Sequence, residues 1–158
     1  MCRRAINFTA IALASLLWSA PALSGGKHRL LGTWSVDVAK IQQPNPPRSV
    51  TLVLLEAGEG SYKMTIDIVA ADGTSTHAGG TFKPDGTAVR VQGSADVDVV
   101  SMTMPSERML VMGAGMAGHP SSSRVWSLAD DGKYMIETVI RHLPDGTPYT
   151  RVFTWNRK

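Results

Sequence analysis

Asp-Gly occurs four times in this 158-residue chain, as Asp72-Gly73, Asp85-Gly86, Asp131-Gly132 and Asp145-Gly146. Glycine adopts the positive φ that tight hairpins demand, and the short aspartate side chain bonds to its own backbone two residues on. The flanking segments alternate. Before the first pair, Tyr62, Met64, Ile66 and Ile68 stand between Ser61, Lys63, Thr65 and Asp67, the period of two of a half-buried strand. Before the fourth, Tyr134, Ile136, Thr138 and Ile140 alternate with Lys133, Glu137 and Arg141; after it, Tyr149, Phe153 and Trp155 share a face. Extended along the chain, the pattern predicts strands at 33–38, 49–56, 61–70, 75–83, 87–92, 97–104, 107–112, 122–128, 133–142 and 147–157. Ala39 to Ile41 has room for one helical turn before Pro44, Pro46 and Pro47 stop it. Consecutive antiparallel strands usually pair, and closing the sheet removes its exposed edges. The fold class expected is therefore all-β: a single up-and-down antiparallel meander of about 8–10 strands closed into a barrel, whose interior just holds side chains or one small ligand.

The first 24 residues have another character. Arg3 and Arg4 precede an uncharged apolar run from Ile6 to Trp18, and small or turn-forming residues follow from Ser19 to Gly25. A charged start, a short apolar core and a small-x-small site make a secretory signal, with cleavage after Ala22 or after Ser24. The run is shorter than the roughly 20 residues that span a bilayer, and the cleavage point offers no Cys for a lipid. The expected organisation is a signal peptide over 1–24 and one barrel domain over 25–158. The expected location is periplasmic or secreted, with no integral membrane segment once the signal is gone. The single cysteine, Cys2, leaves with the signal, so the mature chain has no disulfide, no Cys-ligated zinc and no thiol nucleophile. Removing Arg3 and Arg4 from the 16 Lys and Arg leaves 14 against 13 Asp and Glu. These charges are scattered, with no basic run or aromatic stripe, so nucleic acid is not an expected partner.

Leu31-Gly32-Thr33-Trp34 opens the first strand. A Gly-x-Trp in that place, a meander of about eight strands and an arginine near the end resemble the calycin superfamily of lipocalins, fatty-acid-binding proteins and avidins. The resemblance implies that Gly32 and Trp34 sit at the closed end of the barrel and that an arginine of the last strand packs over the tryptophan. Arg157 is the matching residue, with Arg151 second. Such cation–π packing contributes about 0.5–2 kcal/mol. Gly93-Ser94-Ala95-Asp96-Val97-Asp98-Val99-Val100-Ser101 and Asp131-Gly132-Lys133 also look like segments of small lipocalin-like proteins exported by bacteria. No second or third lipocalin motif accompanies them, and no residue set matches avidin's biotin contacts. The resemblance implies a barrel and a cavity, and it names no ligand.

Several motifs fit a chemistry by their letters. Gly113-x-Gly115-x-x-Gly118 matches a dinucleotide fingerprint, but His119-Pro120-Ser121-Ser122-Ser123 follows in place of the helix whose N-terminus would hold a pyrophosphate. The segment reads instead as a flexible connection. Met102, Met104, Met109, Met112 and Met116 with His119 nearby are soft ligands of the kind that hold copper(I). Strand spacing gives them a simpler role: Val100, Met102 and Met104 share a face, and methionine fills irregular apolar space. His28, His77, His119 and His142 have no metal-site spacing. Asp96 and Asp98 stand two apart before a strand, an arrangement that serves acid–base work or a hard cation, and more often a solvated turn. No Gly-x-Ser-x-Gly elbow is present.

The leading expectation is a binding module for a small hydrophobic or amphipathic ligand, lined by Tyr62, Met64, Met102, Met104, Tyr134, Ile136 and Phe153. A second is a side-chain-filled barrel that engages or inhibits another protein through the long loop 113–123 or the Pro-rich segment 42–47. A third is a small isomerase- or cyclase-type enzyme, which needs two or more ionisable groups converging inside. The sequence assembles no such set, so no catalytic residue, metal or cofactor is expected.

Overall fold

In the computed structural model, which describes residues 28–143 and 145–158, all four Asp-Gly pairs form turns with the same wiring. The aspartate accepts the backbone N–H two residues on, at 2.8 Å for Thr74 to Asp72 and 2.9 Å for Thr87 to Asp85, Lys133 to Asp131 and Thr147 to Asp145. The following glycine has a φ between +71° and +93°. Two further hairpins use Glu59-Gly60 and Ala117-Gly118, with positive φ at both residues. The signal-peptide expectation falls on residues 1–27, outside the described residues.

The turns join ten strands: β1 (Gly32–Val36), β2 (Ser49–Gly58), β3 (Ser61–Val69), β4 (Ser75–Phe82), β5 (Asp85–Arg90), β6 (Val99–Ser106), β7 (Met109–Met116), β8 (His119–Leu128), β9 (Tyr134–His142) and β10 (Pro148–Arg157). They form one antiparallel sheet in the order β4-β3-β2-β1-β10-β9-β8-β7-β6-β5. Apart from β1 against β10, every paired strand is a neighbour in the chain. A single turn of 3-10 helix, Val38–Lys40, stands between β1 and β2.

The two end strands of the sheet are β4 and β5, and one bridge just beyond β5 joins their edges, where Gly79 of β4 and Gln92 exchange two N–H···O bonds of 3.1 Å. The barrel is thus nearly closed. Gly93 makes the approach sterically feasible: its φ is +78°, and a Cβ there would stand 1.9 Å from the His77 carbonyl oxygen.

The expected long loop at 113–123 does not exist. β7 runs on to Met116, β8 begins at His119, and Ala117-Gly118 is a tight turn between them. Gly113 and Gly115 read as loop residues because glycine is a poor strand former. Here they let β7 close on its neighbour: a Cβ on Gly115 would lie 3.0 Å from Val99 Cγ1, and one on Gly113 would lie 3.3 Å from Ser101 Oγ. A surface loop for a protein partner is therefore absent at this place.

One end of the barrel is solid. Trp34, Leu52, Leu54, Leu110, Trp126 and Met135 are buried there. Trp34 donates its Nε1–H to the Leu30 carbonyl at 2.8 Å, which folds the segment before β1 across the barrel end. Arg157, directly opposite Trp34 in the β1–β10 register, lies 4.1 Å over the indole ring. Its guanidinium donates to the carbonyls of Arg29, Leu31 and Gly132 at 2.6, 2.9 and 2.8 Å. Gly32 has a φ of +132°, and a Cβ there would come within 2.8 Å of Arg157 Nη1, so the absence of a side chain makes room for the arginine.

Candidate ligand-binding cavity

The other end is hollow. A cavity of about 520 Å³ opens between the connections β1–β2, which supplies Ile41, Gln43 and Pro47, and β5–β6, which supplies Ser94 to Val97. Its walls differ in kind. On one side β2 to β6 present Val50, Met64, Ile66, Phe82, Val89, Val100 and Met102. On the other, β8 to β10 present Arg124, Glu137, Arg141 and Arg151 beside Phe153 and Trp155.

The register puts these polar groups at three levels. Trp126, Glu137 and Phe153 are cross-strand neighbours, Arg124, Val139 and Arg151 form the next row, and Arg141 with Tyr149 the next. Residues two apart on a strand are about 7 Å apart. Glu137 therefore sits deepest, the Arg124–Arg151 row about 7 Å above it, and Arg141 about 7 Å higher again.

Glu137 is 1% exposed, a place no unpaired carboxylate tolerates. Arg124 Nη1 donates to its Oε1 at 3.0 Å and Trp155 Nε1 to its Oε2 at 2.9 Å. Both oxygens thus accept, the pattern of an ionised carboxylate. Burial among apolar neighbours raises the pKa of this carboxyl, and Arg124 and the Trp155 N–H pull it back. Arg124 also reaches the hydroxyl of buried Ser122 at 3.4 Å.

Nearer the mouth the arginines are less committed. Arg151 donates Nη1 to the neutral Gln43 Oε1 at 2.8 Å. Arg141 Nη2 stands 3.5 Å from Asp96 Oδ2, and its Nε is buried with no partner among the described residues. Three arginines face two carboxylates, a surplus of one positive charge in the lining.

Of the seven residues expected to line the interior, Met64, Met102 and Phe153 do. Tyr62 and Met104 pack against the core instead; Tyr62 stacks on Phe82 at 5.9 Å between ring centroids and meets His28 edge-on at 6.1 Å. Tyr134 and Ile136 do not line it: they lie on the outer face of β9, Tyr134 42% exposed, while Met135, Glu137 and Val139 point inward. The phase of β9 is the opposite of the one its alternation predicts, because its more apolar set is the outer one. The phase is imposed by β8 and β10, where Trp126, Leu128 and Trp155 must face the core.

Asp96 and Asp98 separate. Asp96 stands at the rim, while Asp98 Oδ2 accepts the Ala117 N–H at 3.0 Å and holds the β7–β8 turn. Met102 and Met112 are cross-strand neighbours in the cavity wall, whereas Met109 is on the outer surface. No three His, Asp or Glu side chains come together as a metal ligand set among the described residues. The polar residues that sequence reasoning missed, Arg124, Glu137 and Arg141, share one signal. Each occupies the inward phase of its strand next to buried apolar side chains, Trp126 and Leu128 on β8 or Met135 and Val139 on β9.

No family model and no curated protein matches the chain, but solved structures do. Two single-residue variants of the fluorescent protein UnaG align with TM-scores of 0.52 and 0.53 at 15% and 17% identity, over 82% of this chain and 96% of theirs. Fatty-acid-binding protein 1 of Echinococcus granulosus aligns with a TM-score of 0.49 at 17% identity, over 82% of this chain and 97% of that one. At identities this low the likeness to the two UnaG variants is one of fold, a nearly closed antiparallel barrel.

Proposed function

We propose that the protein is an exported barrel that binds one small hydrophobic or amphipathic ligand in its interior. The observation that carries this reading is the hollow half of the barrel: about 520 Å³ with one apolar wall and arginines toward the mouth. That volume lies within the range of small-molecule sites, roughly 300–1,000 Å³, and the mix of apolar surface with a few polar groups is theirs as well. A side-chain-filled interior for a purely protein-binding role does not fit such a cavity. Ionisable groups do converge inside, but Arg124 and Glu137 engage each other and both Glu137 oxygens already accept, which favours binding over catalysis. The export part rests on the secretory pattern of residues 1–24.

Two measurements test the reading. Titration with N-phenyl-1-naphthylamine, a neutral dye that brightens in apolar surroundings, should saturate at one site per chain. Native mass spectrometry of protein taken from its own cells should show a bound small molecule. A flat titration together with a mass equal to the bare chain would refute it. N-terminal sequencing of the exported form should begin at Leu23 or Gly25; an intact Met1 in that fraction would refute export by cleavage.

A further inference from the structure

Arg124 and Arg151 stand on the same level of the polar wall, on either side of Val139, yet they differ in what they can offer. Arg151 has a neutral partner, Gln43, and is exposed at the mouth. Arg124 points its Nη1 at Glu137, which lies one level deeper and has no other cationic partner among the described residues. From this geometry we propose that Glu137 is a built-in counter-ion that occupies Arg124, so that the inner cavity receives the uncharged end of a ligand and any acidic group is held at the rim by Arg151 and Arg141.

A ligand acid and Glu137 would compete for the same guanidinium. A ligand acid that reached Arg124 would have to displace Glu137, leaving a carboxylate that is 1% exposed with only the Trp155 N–H. Breaking a buried pair by removing one partner is strongly unfavourable, because the other charge stays buried and uncompensated. The barrier at the rim is lower. Arg151 exchanges a neutral amide for an anion, and Arg141 faces only the exposed Asp96, at 3.5 Å, and keeps a buried Nε with no partner among the described residues. The surplus positive charge of the lining is thus placed at the mouth. The ligand class that fits is an apolar body with a neutral inner end, either with no acidic group or with one that remains at the mouth.

The inference rests on the ligand-binding reading above, and the test separates the two. N-phenyl-1-naphthylamine and 8-anilinonaphthalene-1-sulfonate share their rings and differ by one permanently charged sulfonate. The ratio of their affinities therefore isolates the anion's contribution. E137Q keeps the acceptor for Trp155 but frees Arg124, and should shift the ratio toward the sulfonate by about tenfold, the scale of one charge-assisted hydrogen bond. The double variant R124Q/E137Q should leave the ratio within about threefold of wild type, and R151Q should shift it toward the neutral dye by about tenfold. A folded E137Q that binds the neutral dye with an unchanged ratio overturns the inference alone. So does a double variant that loses about tenfold for the sulfonate, since Arg124 would then already be serving the ligand. If E137Q does not fold, the double variant decides alone: a ratio within about threefold of wild type supports the inference, and a loss of about tenfold for the sulfonate overturns it. If wild type binds neither dye, the cavity reading falls and this inference with it.

Discussion

Replacing Arg157 by alanine removes the fastening of the solid barrel end, and its cost can be built from the contacts. Three hydrogen bonds to carbonyls are lost. Those of Arg29 and Gly132 are exposed and rehydrate, costing about 0.5 kcal/mol each, while the part-buried Leu31 carbonyl costs about 1 kcal/mol. The guanidinium over the fully buried Trp34 ring, at 4.1 Å, adds about 1 kcal/mol. The expected loss is about 3 kcal/mol, a fall of about 1.5 M in the urea midpoint for a slope near 2 kcal/mol per M. Lysine keeps the charge but cannot serve three diverging carbonyls, so R157K should lose about half as much. Tryptophan fluorescence during urea unfolding reads both variants. Gly32→Ala supplies the internal check, because its Cβ would press on Arg157 Nη1. Its cost should shrink in the R157A background to the strain of the backbone alone, about 1 kcal/mol. An R157A midpoint within about 0.3 M of wild type, or a Gly32→Ala cost that is the same in both backgrounds, would refute the fastening.

Gly93→Ala should force β4 and β5 apart, since no shift of a side chain relieves a 1.9 Å approach to the His77 carbonyl. Amide exchange at Gly79 and Gln92 should accelerate while the solid end stays protected, and unchanged exchange at both would count against the seam as drawn. Ala78→Phe adds bulk to the cavity wall and should weaken binding of the neutral dye by about tenfold in a folded protein; undiminished binding would put the ligand elsewhere. The Glu137 carboxyl, raised by burial, holds a proton in the folded chain at pH values where the unfolded chain has lost it. Stability should therefore fall as pH rises from the ordinary carboxylate range through the raised value, then level off. Arg124 and Trp155 face this carboxyl directly, and Arg151, Arg141 and Asp96 line the same cavity. Burial lowers the pKa of His28, against the pull of Glu107 and a hydrogen bond to the Ser106 backbone carbonyl, and this shift acts on stability in the opposite sense. The measurement is therefore the wild-type stability curve minus that of E137Q, and a difference flat from pH 4 to 8 would contradict the shift.

What could be read from the sequence was local. An Asp-Gly turn is made within four residues, with the aspartate closing on the amide two positions on, so all four were legible, and with them the strand count. Hidden features were those decided across strands. The phase of β9 depends on Trp126 and Trp155, which lie outside β9 itself, and its outer set of Tyr134, Ile136 and Ile140 is the more apolar. The Gly113–Gly115 stretch looked like a loop until β6 lay against it. Arg124 and Glu137 are ordinary surface residue types whose meaning appears only when the register places one opposite Val139 and the other one level below. Met64, Met102 and Phe153 followed from simple alternation, because their strands have one clearly apolar face.

The one pairing between strands distant in the chain, β1 with β10, has a consequence for connectivity. Because the strands are antiparallel, the start of β1 and the end of β10 are adjacent: Trp34 faces Arg157, and the Lys158 N–H bonds to the Thr33 carbonyl. A short linker from Lys158 to His28, with new termini at Pro84 between the weakly joined β4 and β5, would give a circular permutant in which strand order along the chain equals strand order across the sheet. Every ladder would then be a hairpin, the long-range step would shrink from the β1–β10 ladder to the single Gly79–Gln92 bridge, and refolding should be faster than in the parent chain.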